Sequence, residues 1–212
     1  INSKTTKRNN LFFAIRGKRL DGHNFVKHAI KKGAVKSIVS KKIRNVPKIK
    51  IIKVKNTFHS LNDLAKVNRN YTSAEIIGIT GSVGKTTLKN LLSYALKNYG
   101  KVHFSPKSYN NKFGVPISLC NLRKNIKYGI FEIGMDKKGE IENLSKIVKP
   151  EIGIITNIAG AHFKNFNTLK DIAKAKSEII DNISENGNIV LNKDDKFYNF
   201  FYNKAKKKRI NI

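Results

Sequence analysis

The stretch from Gly78 to Thr87 reads GITGSVGKTT, and it constrains the fold of this chain more than any other. Residues 75–79, EIIGI, have the apolar character of a buried strand. Residues 86–99 place Leu88, Leu91, Leu92, Ala95, Leu96 and Tyr99 at the i, i+3, i+4, i+7, i+8, i+11 spacing of an amphipathic helix, and Gly100 supplies its stop. A strand running through glycines and a lysine into a helix is the setting of a phosphate-binding loop. Gly81 and Gly84 allow backbone N–H groups to close round an anion, and the helix N-terminus adds partial positive charge. The common pattern G-x-x-x-x-G-K-[ST] would require glycine at 79, where Ile79 stands. The cradle is therefore read as the shorter segment Gly81, Ser82, Val83, Gly84, Lys85, Thr86 and Thr87. In it Lys85 reaches the β- and γ-phosphates of a nucleotide and the Thr86 hydroxyl serves Mg²⁺. Lysine is abundant here, so Gly-Lys-Thr alone would say little; strand, glycines and helix together carry the reading.

Around this motif the pattern is α/β. Strands are expected at 11–15 (LFFAI), 37–40 (SIVS) and 49–54 (IKIIKV), with helices at 24–32 and 57–70. After the polar segment NRNYTS (68–73) the alternation becomes regular, with strands at 75–79, 101–105, 128–134, 151–157 and 188–192 and helices at 86–99, near 139–147 and at 168–183. This predicts a small α/β domain over 1–72 and a doubly wound, mostly parallel P-loop domain over 73–212. Ligands of such sheets bind at the carboxyl ends of the strands.

The 212 residues are 40% hydrophobic, enough for a buried core, and contain one cysteine, so no internal disulfide framework exists. No apolar run approaches the roughly 20 residues that span a bilayer. These properties lead to the expectation of a cytoplasmic, monomeric protein that does not insert into a membrane. A net charge of +29 would suit a nucleic-acid partner. The basic residues are nevertheless spread along the whole chain, and the joint excess of Lys, Asn, Ile, Phe and Tyr matches AT-rich codon bias, which argues against nucleic acid.

Glu132 lies in the apolar strand IFEIG, where an unpaired carboxylate is costly; a metal ion, a loop cation or an exposed edge strand would account for it. Lys176 falls on the apolar face of a helix that Thr168 and Asp171 cap by the T-x-x-D signal; such a lysine usually snorkels to water. His162 follows the strand at 151–157 and, alone, is an ordinary loop residue. Asn110 and Asn111 read equally as amide groups near phosphates or substrate and as turn residues before Gly114 and Pro116.

The loop form T-G-[ST]-x-G-K-T-[ST] resembles that of the Mur ligases and their folylpolyglutamate synthetase relatives. The likeness extends to SYNNKFGVPISLCNL (108–122), FEIGMDKKGEI (131–141), TNIAGAHFKNF (156–166), IAKAKSEII (172–180) and, at the amino end, LFFAIRGKRLDGHNFVKHAIKKGA (11–34). The N-N-x-x-G-x-P and E-[IM]-G-x-x-x-x-G-E-I patterns resemble the branch that joins D-alanyl-D-alanine to a UDP-N-acetylmuramoyl-tripeptide. The resemblance implies an ATP-dependent amide ligase of peptidoglycan precursor synthesis working through an acyl phosphate, with residues 1–72 binding the UDP-linked substrate and 73–212 forming part of the ATPase domain. It implies two Mg²⁺ ions, with Thr86, Glu132, His162 and Lys176 as ligands, Lys176 carbamylated, and Lys85, Glu132, His162 and Lys176 catalytic. Asn110 and Asn111 would serve the substrate. Val83 stands where Asn or Ser is common, and Asn2 and Lys4 replace the acid and arginine of a D-[ST]-R element. The family's later adenine-binding segment and C-terminal domain have no counterpart in these 212 residues, so a fragment or a complementing partner is expected, with weak ATP affinity and no turnover alone. A nucleic-acid-binding P-loop module and a folylpolyglutamate-synthetase-like ligase are the alternatives.

Overall fold

The computed structural model describes residues 1–160 and 165–212. These divide into two compact units, Ile1–Leu64 and Ala65–Ile212. The junction lies inside a helix: Asn68 and Arg69, in the polar segment where the sequence suggests a boundary near residue 72, already belong to the second unit and bond within it, to the Leu119 and Val148 carbonyls.

In the first unit β1 (Leu11–Phe13), β2 (Lys36–Val39) and β3 (Ile51–Lys53) form a parallel sheet in the order β1-β2-β3. Phe12, Ala14 and Val39 pack with Val26 and Ala29 of α1 (Val26–Lys31). Two elements are shorter than their patterns suggest: the helix expected at 24–32 and the strand expected at 49–54 each give up their first residues to a 3₁₀ turn, Gly22–Phe25 and Lys48–Lys50. Asp21 starts the first of these by accepting from the His23 N–H, and its Oδ1 lies 2.5 Å from His23 Nδ1. The His23 Nε2 accepts the Ser40 N–H at 2.9 Å, so the Asp-Gly-His triplet ties the turn to the end of β2. Helix α2 (Thr57–Tyr71) follows.

The second unit is a five-stranded, all-parallel sheet built from β4 (Glu75–Thr80), β5 (Val102–Phe104), β6 (Tyr128–Glu132), β7 (Ile152–Ile155) and β8 (Asn188–Leu191). Its order is β5-β6-β4-β7-β8, so the carboxyl end of β4 is flanked by those of β6 and β7. Both faces are covered, and the period-2 alternation sorts side chains between them. Ile77, Ile79 and Ile130 pack with Leu88, Leu92 and Leu96 of α3 (Lys85–Leu96). Ile76 and Phe131 belong to a larger core on the other face, with Val115 and Leu119 of α4 (Gly114–Cys120), Ile141 and Leu144 of α5 (Glu140–Val148) and Ile172 of α6 (Leu169–Lys176). The Thr168–Asp171 capping box forms as expected, but the helix then tightens into a 3₁₀ segment over Ser177–Asn182. Helix α7 (Tyr198–Lys207) occupies what reads in sequence as a basic tail; Phe201 and Ala205 anchor it.

The buried face of α3 differs from its apolar spacing. Leu91 and Tyr99 are exposed, whereas Lys89 and Ser93 are buried. The helix thus turns toward polar groups at the sheet's carboxyl edge, which a hydrophobicity pattern cannot register.

Helix α5 is held electrostatically at both ends. At its start the buried Glu178 carboxylate accepts from the N–H groups of Gly139 (2.8 Å) and Glu142 (3.0 Å). At its end Arg69 donates to the carbonyls of Val148 and Lys149, both at 2.6 Å, and pairs with Glu151 at 2.5 Å. A negative group at the amino end and a positive one at the carboxyl end complement the helix dipole and satisfy its orphan backbone groups. Replacing Arg69 with Ala takes the donor from those carbonyls and from Glu151 Oε1, leaving Glu151 only the Ile76 N–H on Oε2, and is expected to cost about 2–4 kcal/mol in urea unfolding, with Arg69→Lys recovering only part because an ammonium cannot reproduce the fork.

Candidate phosphate and metal site

The glycine loop is shaped by the residues that follow β7. Gly81 has φ +144°, and a Cβ there would lie 1.8 Å from Thr156 Oγ1, so the close approach admits only glycine. The Ser82 N–H donates to the Asn157 carbonyl (2.9 Å) and the Val83 N–H to Asn157 Oδ1 (3.0 Å). Thr156 Oγ1 donates to the Val83 carbonyl at 2.6 Å, and Ser82 Oγ bonds both the carbonyl and the N–H of Ala159. Asp195, from the LNKDD segment, accepts the Ile158 N–H at 2.6 Å and braces the same stretch. Gly84 then caps α3 in the left-handed region, φ +84°, with its side-chain direction open for 4 Å. Val83 is 59% exposed, so the residue that departs from the usual Asn or Ser touches solvent, not the cradle.

Two ammonium groups rest on one loop carbonyl. Lys85 Nζ donates to Gly81 O at 2.7 Å and Ser82 O at 3.3 Å, and Lys176 Nζ donates to Gly81 O at 2.9 Å. Lys176 is only 1% exposed, so it does not snorkel. Burial first, and then the nearby charge of Lys85, bring its pKa down to about 7. Burial also lowers Lys85, against the opposing pull of Glu132. Two cations on a single weak acceptor are suited to receive an anion with several oxygens.

Opposite them stands Glu132, 1% exposed at the end of β6. Strand β6 lies between β5 and β4, so the edge-strand explanation of its carboxylate falls. Oε2 accepts from Thr86 Oγ1 at 2.8 Å and Oε1 from Asn110 Nδ2 at 2.8 Å. Lys89 Nζ lies 3.6 Å from Oε2 and donates to the Lys107 carbonyl. Thr86 hydroxyl and Glu132 carboxylate are hard oxygen donors in contact, a pair suited to Mg²⁺. No group of three or more His, Cys, Asp or Glu side chains that could hold a metal occurs among the described residues, so a cation here would need ligands from elsewhere.

Lys85, Thr86, Glu132, Lys176 and Asn110 thus converge on the carboxyl end of β4. Asn111 does not join them: its Oδ1 accepts the N–H groups of Phe113 (3.1 Å) and Gly114 (3.0 Å) and starts α4, the turn role that its position allowed. Thr87 is exposed on α3. His162 lies outside the described residues. The residue missed from sequence is Lys89; its spacing of four from Lys85 on a helix was the available signal. Glu140 and Glu178, read as parts of signature segments, are architectural: Glu140 accepts from the Asp136 and Lys137 N–H groups, and Glu178 caps α5. A shallow basin of about 840 Å³ lined by Lys97, Lys101 and Arg123 lies at the amino ends of β5 and β6, away from this cluster, and carries no carboxylate.

Comparison with known proteins places the fold in a family. The family profile described as Mur ligase middle domain matches residues 79–212, and that described as Mur ligase family, catalytic domain, matches residues 1–70. The UDP-N-acetylmuramoyl-tripeptide–D-alanyl-D-alanine ligase of Rickettsia prowazekii is 42% identical over 199 residues, covering 94% of this chain and 44% of the relative. The ligase of that name from Escherichia coli is 34% identical over 185 residues, covering 87% and 40%. Among solved structures, MurF from Acinetobacter baumannii superposes with a TM-score of 0.88 at 33% identity, over 97% of this chain and 45% of that one. MurF ligase from Thermotoga maritima in complex with ADP gives 0.83 at 32% identity, over 97% and 47%. The chain therefore spans less than half the length of these relatives. A short-form phosphate loop clamped by the segment after β7, a buried glutamate at the end of β6, and profile matches over both units lead to one conclusion: the chain belongs to the Mur ligase family.

Proposed function

We propose that these residues form the UDP-substrate unit and the ATP-binding core of a ligase that adds D-alanyl-D-alanine to a UDP-N-acetylmuramoyl-tripeptide during peptidoglycan precursor synthesis. The observation that carries the reading is the convergence of Lys85, Thr86, Glu132 and Lys176 at the carboxyl end of β4, in a chain whose relatives by sequence bear that name.

In the proposed reaction the γ-phosphoryl group of ATP passes to the terminal carboxylate of the tripeptide, giving an acyl phosphate and ADP. The amine of D-alanyl-D-alanine then attacks the acyl carbon, phosphate departs and an amide forms. With the Ser82 and Val83 N–H groups held by Asn157, the nucleotide phosphates are received by the amino end of α3 from Gly84 to Thr87, and Lys85 turns from its loop carbonyls to the β- and γ-phosphates. Thr86 and Glu132 would hold Mg²⁺, which would supply positive charge against that developing on the transferring group. Asn110 keeps the Glu132 carboxylate oriented, while His162 and a carbamylated Lys176 would be the ligands offered to a second Mg²⁺. No side-chain nucleophile is required, because the substrate's own carboxylate accepts the phosphoryl group.

Thermal-shift titration tests this directly. ATP–Mg²⁺ and the UDP-linked tripeptide are each expected to stabilise the chain by about 2.7 kcal/mol at a hundred times Kd and so raise its melting temperature, while oligonucleotides do not. Lys85→Met is expected to abolish the ATP effect and leave the UDP-tripeptide effect intact. A shift with oligonucleotides alone would sink the reading.

Carbamylation of Lys176 has its own readout. A lysine whose pKa is brought down to about 7 supplies the neutral amine that CO₂ modifies. With ¹³C-bicarbonate, a carbamate resonance is expected to grow as pH rises through about 7 and to be missing in Lys176→Met. Without CO₂ the folded chain loses this proton before the unfolded chain does, so stability is expected to climb between about pH 7 and 10.

A further inference from the structure

Lys89 has no place in the mechanism above, yet it is among the most deeply enclosed side chains of the second unit, at 1% exposure. It sits on α3 one turn beyond Lys85, with Nζ donating to the Lys107 carbonyl and lying 3.6 Å from Glu132 Oε2. A buried ammonium carries a large desolvation cost, offset here by one carbonyl and one carboxylate. An apolar side chain would fill the same space without that cost, so the charge itself needs a reason.

The charge balance of the cluster supplies one. Glu132 is a carboxylate with two lysines beside it, Lys85 and Lys89, and a third, Lys176, neighbours Lys85; no group of three or more His, Cys, Asp or Glu side chains that could hold a metal occurs among the described residues. Lys85, half-buried on the Gly81 and Ser82 carbonyls, can turn to incoming phosphate oxygens. Lys89 is enclosed and pinned to Lys107, so its charge stays beside Glu132 whatever binds. In this state the site attracts phosphate and repels free divalent cations. A metal gains favourable surroundings only when phosphate oxygens bring negative charge with them.

We propose that Lys89 is a positioning residue whose fixed ammonium holds the Glu132 carboxylate and keeps divalent metal off it until nucleotide phosphates are bound, so that metal enters with the nucleotide and not before it. The proposal rests on the ATP reading above. If instead Lys89 only pegs α3 to the loop carrying Lys107, its charge should not matter to metal affinity.

The test uses the 212-residue chain, with Mn²⁺ as probe followed by electron paramagnetic resonance, in CO₂-depleted buffer so that Lys176 stays an amine. Lys89→Gln keeps a donor for the Lys107 carbonyl and removes the charge; Lys89→Arg keeps the charge. The expected result is weak nucleotide-free Mn²⁺ binding by the unmodified chain and by Lys89→Arg, and binding at least about ten-fold tighter by Lys89→Gln. With a non-hydrolysable ATP analogue present, Mn²⁺ should bind the unmodified chain tightly and the advantage of Lys89→Gln should shrink. Equal nucleotide-free affinities for Lys89→Gln and the unmodified chain, accompanied only by a lower melting temperature, would overturn the proposal. So would tight nucleotide-free Mn²⁺ binding by the unmodified chain, a result that needs no variant to fold. Failure of the unmodified chain to bind the ATP analogue would instead count against the ATP reading, because the nucleotide-free comparison does not depend on it.

Discussion

A carboxylate that is almost wholly withdrawn from water must be matched by donors, and the second unit is organised around meeting that demand at Glu132. The strand order places β6 beside β4, so the acid arrives at the same edge as the glycine loop. Thr86 comes from the first turn of α3, Asn110 from the loop before α4, and Lys89 from the second turn of α3. Three segments distant in sequence are thereby fixed relative to one another by one side chain. Removing the acid would take the acceptor from the Thr86 hydroxyl and the Asn110 amide and leave the buried Lys89 ammonium with the Lys107 carbonyl but no counter-charge, which is why the site and the fold are hard to separate here.

The loop depends on a second constraint, steric in kind. Gly81 and Thr156 approach so closely that a methyl group cannot be accommodated, and the segment after β7 takes up the first N–H groups of the loop. The cradle is thus built from two strand ends, not from one loop folding on itself. Its rigidity comes from Asn157, Ala159 and, behind them, Asp195. A loop braced in this way holds the amino end of α3 in place before charge arrives, which is the main advantage of a preorganised phosphate site.

The segment FEIGMDKKGEI shows how a family signature divides between chemistry and architecture. Glu132 belongs to the site. Gly139, in the left-handed region at φ +83°, and Glu140 shape the turn that starts α5, and Glu178 closes the amino end of that helix from another part of the chain. Arg69 does the equivalent at the opposite end. A helix supported by charge at both termini can hold the lower face of the sheet without contributing a catalytic group.

Much of this was legible in the linear order of residues. The strand, glycine loop and helix at 75–96 depend on neighbours in sequence, as does the Thr168–Asp171 capping box, and both could be read directly. A glutamate inside an apolar strand signalled that something must compensate it. What compensates it could not be read, because the partners lie 22 to 46 residues away and meet only when β6 takes its place beside β4. The burial of Lys89 was hidden for the same reason: α3 turns its lysine inward and leaves Leu91 in water, contrary to hydrophobic spacing, since the sheet edge it meets is polar. Local sequence therefore determined the elements and the identity of the phosphate loop. Tertiary packing alone decided which charges face one another across it, because long-range pairing is set by strand order and not by any pattern along the chain.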